Sequence, residues 1–100
     1  MVALEEAVME IIVNAGQSRS LCFEALRAAR VGNFEEAQKL LREADGYSRQ
    51  AHQMQTKLIE QDAGEARQPM TLIMVHAQDH LMTSLLAREL SEEIIQLYQR

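Results

Sequence analysis

Apolar and small residues recur at alternating steps of three and four along almost the whole chain, and only two stretches interrupt them. That rhythm belongs to helices with one inward face, because side chains three and four apart stack on the same side of an α-helix. The first interruption, Val31-Gly32-Asn33, leaves room for a tight reversal. Gly32 tolerates the positive φ of a helix C-terminal cap, and Asn33 can cap the second helix, with Glu35 and Glu36 in its first turn. The second, Asp62-Ala63-Gly64-Glu65-Ala66-Arg67-Gln68-Pro69, mixes Gly, Pro and charge and reads as the one loop of any length. The spacing predicts helices over about residues 3–31, 33–62 and 70–99, and an all-α fold, an antiparallel three-helix bundle forming a single domain over residues 1–100.

The inward faces are not alike. Helix one offers Leu4, Val8, Ile11, Ala15, Ser18, Cys22, Ala25 and Ala29; helix two offers a thinner, more polar series through Phe34, Ala37, Leu41, Ala44, Ser48, Ala51, Gln55, Leu58 and Asp62. Helix three is apolar around almost its whole circumference, the mark of a buried helix. Two partner helices cannot cover every side of a third in a chain of 100 residues, so an uncovered strip is expected to meet another copy of the protein. One strip reads Leu72, Asp79, Leu86, Glu93 at intervals of seven, with Val75, Met82, Leu90 and Leu97 near the complementary positions, as in a coiled-coil seam. Asp79 is its polar exception. If identical helices meet there, copies of this carboxylate converge and repel, so they share protons or hold a divalent cation, for which a hard ion such as Mg²⁺ is suited; alternatively Asp79 faces solvent or a helix partner.

Charge and cysteine content narrow the partners. A formal net charge of -5 argues against a binder of phosphate backbones, so no nucleic acid is expected. The single cysteine cannot form an intrachain disulfide, and no segment has the pattern of a signal peptide or a membrane span, which predicts a cytoplasmic protein. Cys22, on the inward seam, is expected to act as a small buried hydrophobe, and Met54, Met74 and Met82 fit core or interface positions. His52, Tyr47 and Tyr98 lack convergent partners and are expected at the surface or an interface.

The chemistry is concentrated in His76-Ala77-Gln78-Asp79-His80-Leu81-Met82-Thr83. At 100° per residue, His76, Asp79, His80 and Thr83 fall within an arc of roughly 100°, so four polar groups share one face of an apolar helix. Two histidines four apart can hold zinc, but the glutamate of the H-E-x-x-H arrangement is Ala77 here and no third strong ligand is evident. The other chemistry open to them is nucleophilic, since a neutral imidazole can accept a phosphoryl group and pass it on. Gly16 interrupts helix one at a cost of ~1 kcal/mol, which suggests a close approach by another group, in a crevice or by plain helix packing.

Val75-His76-Ala77-Gln78-Asp79-His80-Leu81-Met82-Thr83 closely resembles the signature of enzyme IIA of the lactose/cellobiose class in the bacterial sugar phosphotransferase system. Asn14-Ala15-Gly16-Gln17-Ser18-Arg19-Ser20, Ala51-His52-Gln53-Met54-Gln55-Thr56-Lys57-Leu58-Ile59 and Gly64-Glu65 extend the resemblance over essentially the whole chain, and Leu86-Ala87-Arg88-Glu89-Leu90 looks most like the chitobiose and cellobiose branch. The resemblance implies a homotrimer of three-helix bundles with helix three at the axis. It implies that the phosphocarrier protein HPr phosphorylates His76 at Nε2, and that the group passes to a cysteine of the cognate enzyme IIB during uptake of a disaccharide. It further implies that Asp79 binds the metal at the axis, Mg²⁺ or another divalent cation, and that Gln78 stabilises the phosphoryl group. Because Gln78 points about 160° away from His76, it would serve a neighbouring chain's site. Membrane association would be indirect, through enzyme IIC, and no sugar would bind here. Docking is expected on an apolar patch ringed by charge near His76. The competing expectation is a structural trimeric helical adaptor without phosphoryl chemistry; a metal-dependent hydrolase stands behind both.

Overall fold

A computed structural model describes residues 3–100 as three helices joined by a tight turn and one longer loop; residues 1 and 2 of the expected domain lie outside the described residues. Helices α1 (Leu4–Arg30), α2 (Phe34–Ala63) and α3 (Leu72–Tyr98) form an up-down-up bundle of 51 × 18 × 18 Å. The ends differ from the sequence expectation by one or two residues, and the caps explain where they fall. Gly32 takes φ +83°. Its amide donates to Ala29 O at 3.0 Å, and that of Asn33 to Ala28 O at 2.9 Å. Asn33 Oδ1 then accepts from Glu36 N at 3.4 Å. Helix three starts at Leu72 rather than Met70 because Thr71 is extended, and its hydroxyl accepts from Met74 N at 3.2 Å. Asp62 closes the intervening loop instead of extending the apolar face: its carboxylate accepts from Gln68 N at 2.7 Å.

The core has two halves. Ile11 and Ala15, Met54 and Leu58, Met74, Ala77 and Leu81 fill one end. Cys22, Ala25, Ala37, Leu41, Ala44 and Ile95 fill the other. Between them lies a layer of buried Ser18, Ser48 and Ser84. The hydroxyls of Ser18 and Ser48 are 2.6 Å apart, and Ser84 donates to Leu81 O at 2.8 Å, so the layer is satisfied internally. Small residues there let the backbones approach.

Helix α1 packs against both other helices, whereas α2 and α3 are tied largely through side chains. Arg88 Nε donates to Asp45 Oδ1 at 2.7 Å and Nη2 to Oδ2 at 3.1 Å, a two-pronged bond between the helices. Gln38 donates to Glu92 at 3.3 Å, and Gln55 Nε2 to Gln78 Oε1 at 2.6 Å. Glu92 sits where the helix dipole disfavours an acid, and its partners Gln38 and Arg88 account for it.

Helix α3 buries only a narrow face, Met74, Ala77, Leu81, Ser84, Ser91 and Ile95. Leu85 packs at its edge, but much of the apolar surface of α3 stays open: Leu72 is 87% exposed, Leu86 54%, Leu90 52% and Leu97 60%. Val75, Met82 and Ile94 are exposed beside them. These residues form one strip along the rod, diametrically opposite the buried face. No helix among the described residues is long and apolar enough to cross a membrane.

Candidate functional site

The helical wheel of α3 places the reactive residues with respect to that strip. With Asp79 on its centre line, His76 lies about 60° to one side and His80 about 100°, while Gln78 lies about 100° to the other. The structure bears this out. Asp79, His76 and Thr83 are exposed, and His80 and Gln78 are half-buried at opposite edges. Thr83 turns its hydroxyl back on the helix, donating to Asp79 O at 3.0 Å. It is thereby committed locally and adds no free donor to the site.

His76 and His80 form a pair. Their rings are nearly parallel, 9° between planes, with centroids 5.7 Å apart. The spacing of four makes them neighbours, and the backward lean of helical side chains sets the two rings parallel and offset. His80 also reaches α1: a Cβ at Gly16 would stand 3.3 Å from its Nε2. The close approach inferred from a glycine inside a helix is therefore the His80 imidazole. Met9 and Ile73 share a groove seven residues earlier on both helices, so α1 and α3 run parallel and Val13 stands level with His76. Met9, Val13 and Ile73 are exposed, with Glu5 at the groove's rim. Beyond Gly16, Arg19 lies over the Phe23 ring, its guanidinium carbon 5.7 Å from the centroid. The outcome is an open imidazole flanked by apolar surface and fringed by charge, a surface a second protein can reach.

Gln78 has a different neighbourhood. Its carbonyl oxygen is taken by Gln55, and its amide nitrogen makes only a weak 3.6 Å contact with Met74 sulfur. The amide donors are thus held at the edge of the strip. Gln55 was visible in the sequence only as a polar member of an inward face, and its partner could not be read there. Within one chain His76 and Gln78 face apart, so a site using both needs two chains. Asp79 stands alone: among the described residues no group of three His, Cys, Asp or Glu side chains could hold a metal. The two-histidine zinc reading gains nothing from this arrangement, for His76 and His80 lack a third ligand.

The other candidates separate cleanly. Cys22 is buried, and burial raises its thiol pKa, an effect the nearby Arg88 charge opposes. Arg88 is itself held more firmly charged by its hydrogen bonds to Asp45. His52, Tyr47 and Tyr98 are exposed and lie apart from the histidine pair, and Met54 and Met74 are core while Met82 lies on the open strip.

Comparison with known proteins gives the chain its relatives. The family model described as PTS system, Lactose/Cellobiose specific IIA subunit matches residues 6–99. The N,N'-diacetylchitobiose-specific EIIA component of Escherichia coli K12 is 50% identical over 97 residues, 97% of this chain and 84% of that protein. The lichenan-specific phosphotransferase enzyme IIA component of Bacillus subtilis is 43% identical over 97 residues, again 97% of this chain and 88% of the relative. Among solved structures, the cellobiose-specific enzyme IIA of Bacillus anthracis superposes with a TM-score of 0.94 at 35% identity, covering 99% of this chain and 91% of that one. The IIA(Chitobiose) of Escherichia coli in complex with HPr superposes at 0.85 with 48% identity, covering 99% and 96%. An exposed histidine with a half-buried partner, at the edge of an uncovered helix face, thus occurs in a chain that belongs to the lactose/cellobiose-specific IIA subunits of the sugar phosphotransferase system.

Proposed function

We propose that this chain is a phosphocarrier that accepts a phosphoryl group from HPr on His76 and hands it to a cysteine of its cognate enzyme IIB during disaccharide uptake. The observation that carries this reading is the exposure of His76 beside apolar surface on α1 and α3, at the edge of the signature helix. A relay needs its reactive atom open to two successive proteins, and a sealed histidine would not serve. In the first step the lone pair of His76 Nε2 forms a bond to phosphorus while the bond to the donor breaks, its electron pair leaving with HPr. In the second a cysteine thiolate of enzyme IIB forms the P–S bond, and the P–N pair returns to the imidazole. A relative of 48% identity has been solved in complex with HPr, which supports the choice of donor.

The working unit in this reading is a homotrimer with α3 at the three-fold axis. The exposed strip supplies the apolar seam, and His76 and Gln78 on its two flanks then meet across each interface, the amide donors of Gln78 turned to the phosphoryl oxygens of the neighbouring His76. Asp79 sits on the centre line, so three copies provide carboxylate oxygens at the axis and suit a hard divalent cation, Mg²⁺ by preference. When bound, that ion would offset two of the three negative charges and relieve their repulsion, leaving the transfer chemistry to the histidines. Membrane association is indirect, through enzyme IIC.

Incubation with phosphoenolpyruvate, enzyme I and HPr tests this. One acid-labile phosphate per chain is expected, none in His76→Gln, with loss of the label when enzyme IIB is added. Val13→Asp and Ile73→Asp are expected to leave assembly intact and slow transfer. Failure of the unaltered chain to take up phosphate would favour the competing reading, a structural helical adaptor.

A further inference from the structure

Gly16 lies well inside α1, where glycine is the least favourable residue after proline. Its backbone gives no reason for it, since among the described glycines Gly32 alone has a positive φ. The reason lies across the helix interface. A Cβ at position 16 would come within 3.3 Å of His80 Nε2, closer than such contacts normally run. The His80 ring, seated in that space, lies within 9° of parallel to the ring of His76. Neither imidazole takes part in a hydrogen bond among the described residues, so the seat is built from shape.

We infer that Gly16 and His80 are positioning residues for His76: the missing side chain at 16 lets His80 sit back against α1, where its flat face fixes the orientation of the exposed His76 ring. The inference rests on the phosphocarrier reading and adds a part to it. An exposed imidazole on a helix is otherwise free to turn about two torsions, and each turn moves the attacking nitrogen by several ångströms. Pinning the ring against a neighbour removes that freedom before a partner docks, and small errors of placement are costly to a transfer step. Filling the seat with a methyl group pushes His80 outward by a few tenths of an ångström and tilts the pair. Removing the His80 ring frees His76 altogether.

The test compares Gly16→Ala, His80→Ala, His80→Phe and the double variant Gly16→Ala/His80→Ala, reading single-turnover phosphoryl transfer from phospho-HPr and the ring proton shifts of His76 by NMR. Gly16→Ala should transfer on the order of tenfold more slowly and move the His76 signals. Its melting temperature should hold or rise, since alanine favours helix, which separates the effect from damage to the fold. His80→Phe, flat but without ring nitrogens, should stay close to the unaltered rate, and Gly16→Ala should cost nothing further once His80 is alanine. The inference is overturned by a Gly16→Ala protein with normal rate and unmoved His76 signals, by a His80→Phe protein as slow as His80→Ala, or by a Gly16→Ala loss undiminished in the double variant. An unaltered chain that takes up no phosphate brings down the relay reading and this inference together; uptake with normal Gly16→Ala behaviour brings down the positioning role alone.

Discussion

Leu86→Lys separates assembly of the chain from its folding. Leu86 keeps 54% of its surface exposed in the single chain and touches no member of the buried face of α3 by position on the wheel. Fully burying a leucine side chain is worth about 1.5–3 kcal/mol, so covering the open half contributes roughly 1 kcal/mol per copy and about 3–4 kcal/mol for three. At ~1.4 kcal/mol per tenfold, losing that contribution weakens association by roughly two to three orders of magnitude, before the repulsion of converging ammonium groups is counted. The folded chain should notice little, because a substitution at a half-exposed position usually changes stability by about ±0.5 kcal/mol. Sedimentation velocity over a concentration series, with helicity followed by circular dichroism, measures both quantities. The expectation is a helical monomer where the unaltered chain sediments as a trimer, and no change for Ile59→Lys, equally exposed at 58% but on α2. A Leu86→Lys protein of unchanged mass at micromolar concentration would refute the assignment of this strip to the interface; loss of helicity at every concentration would show that Leu86 supports the monomer instead.

Other parts of the molecule give three further expected outcomes. Asp79→Leu should assemble at least as tightly as the unaltered chain while losing any stoichiometric divalent metal found by elemental analysis, since it removes the converging charges; metal retained in the variant would contradict the axial site. Arg88→Met should lower stability to urea by about 1 kcal/mol, a modest figure because the pair with Asp45 is partly solvated; an equal loss when Asp45 is already Asn would show that the pair is not the cause. Cys22 should resist thiol reagents until the chain unfolds, because burial raises its pKa and keeps it protonated. By linkage the folded state then favours the proton, so stability falls as pH rises past the ordinary thiol pKa toward the raised folded value, and Cys22→Ala should flatten that part of the profile.

The three helices were legible because their apolar spacing, the Val31-Gly32-Asn33 turn and the Gly/Pro loop all point the same way, and consistency between levels is what makes a fold readable. The helix-one seam is buried nearly as the spacing implies, with Leu4 only partly covered and Ala7, Asn14 and Leu21 added at its flanks. The uncovered strip on α3 was legible for a simple geometric reason, too much apolar circumference for two partners. Gly16 signalled a close approach, but its partner could not be named, since contact across helices depends on axial register and not on periodicity. The same limit hid the polar ties of α2 to α3. Asp45 and Arg88 are 43 residues apart and Gln55 and Gln78 23 apart, and nothing local in either stretch marks the pairing. Glu92 lies near a helix C-terminus, where the dipole disfavours an acid, and only partners on both helices account for it.

Whether the phosphoryl group is carried on one exposed imidazole can be read from phosphorus–nitrogen correlated NMR on histidine-labelled protein phosphorylated through enzyme I and HPr. One phosphorus coupled to a ring nitrogen of His76 is expected, lost in His76→Gln and displaced on addition of enzyme IIB. A phosphorus bonded to His80 or His52, or none at all, would contradict it.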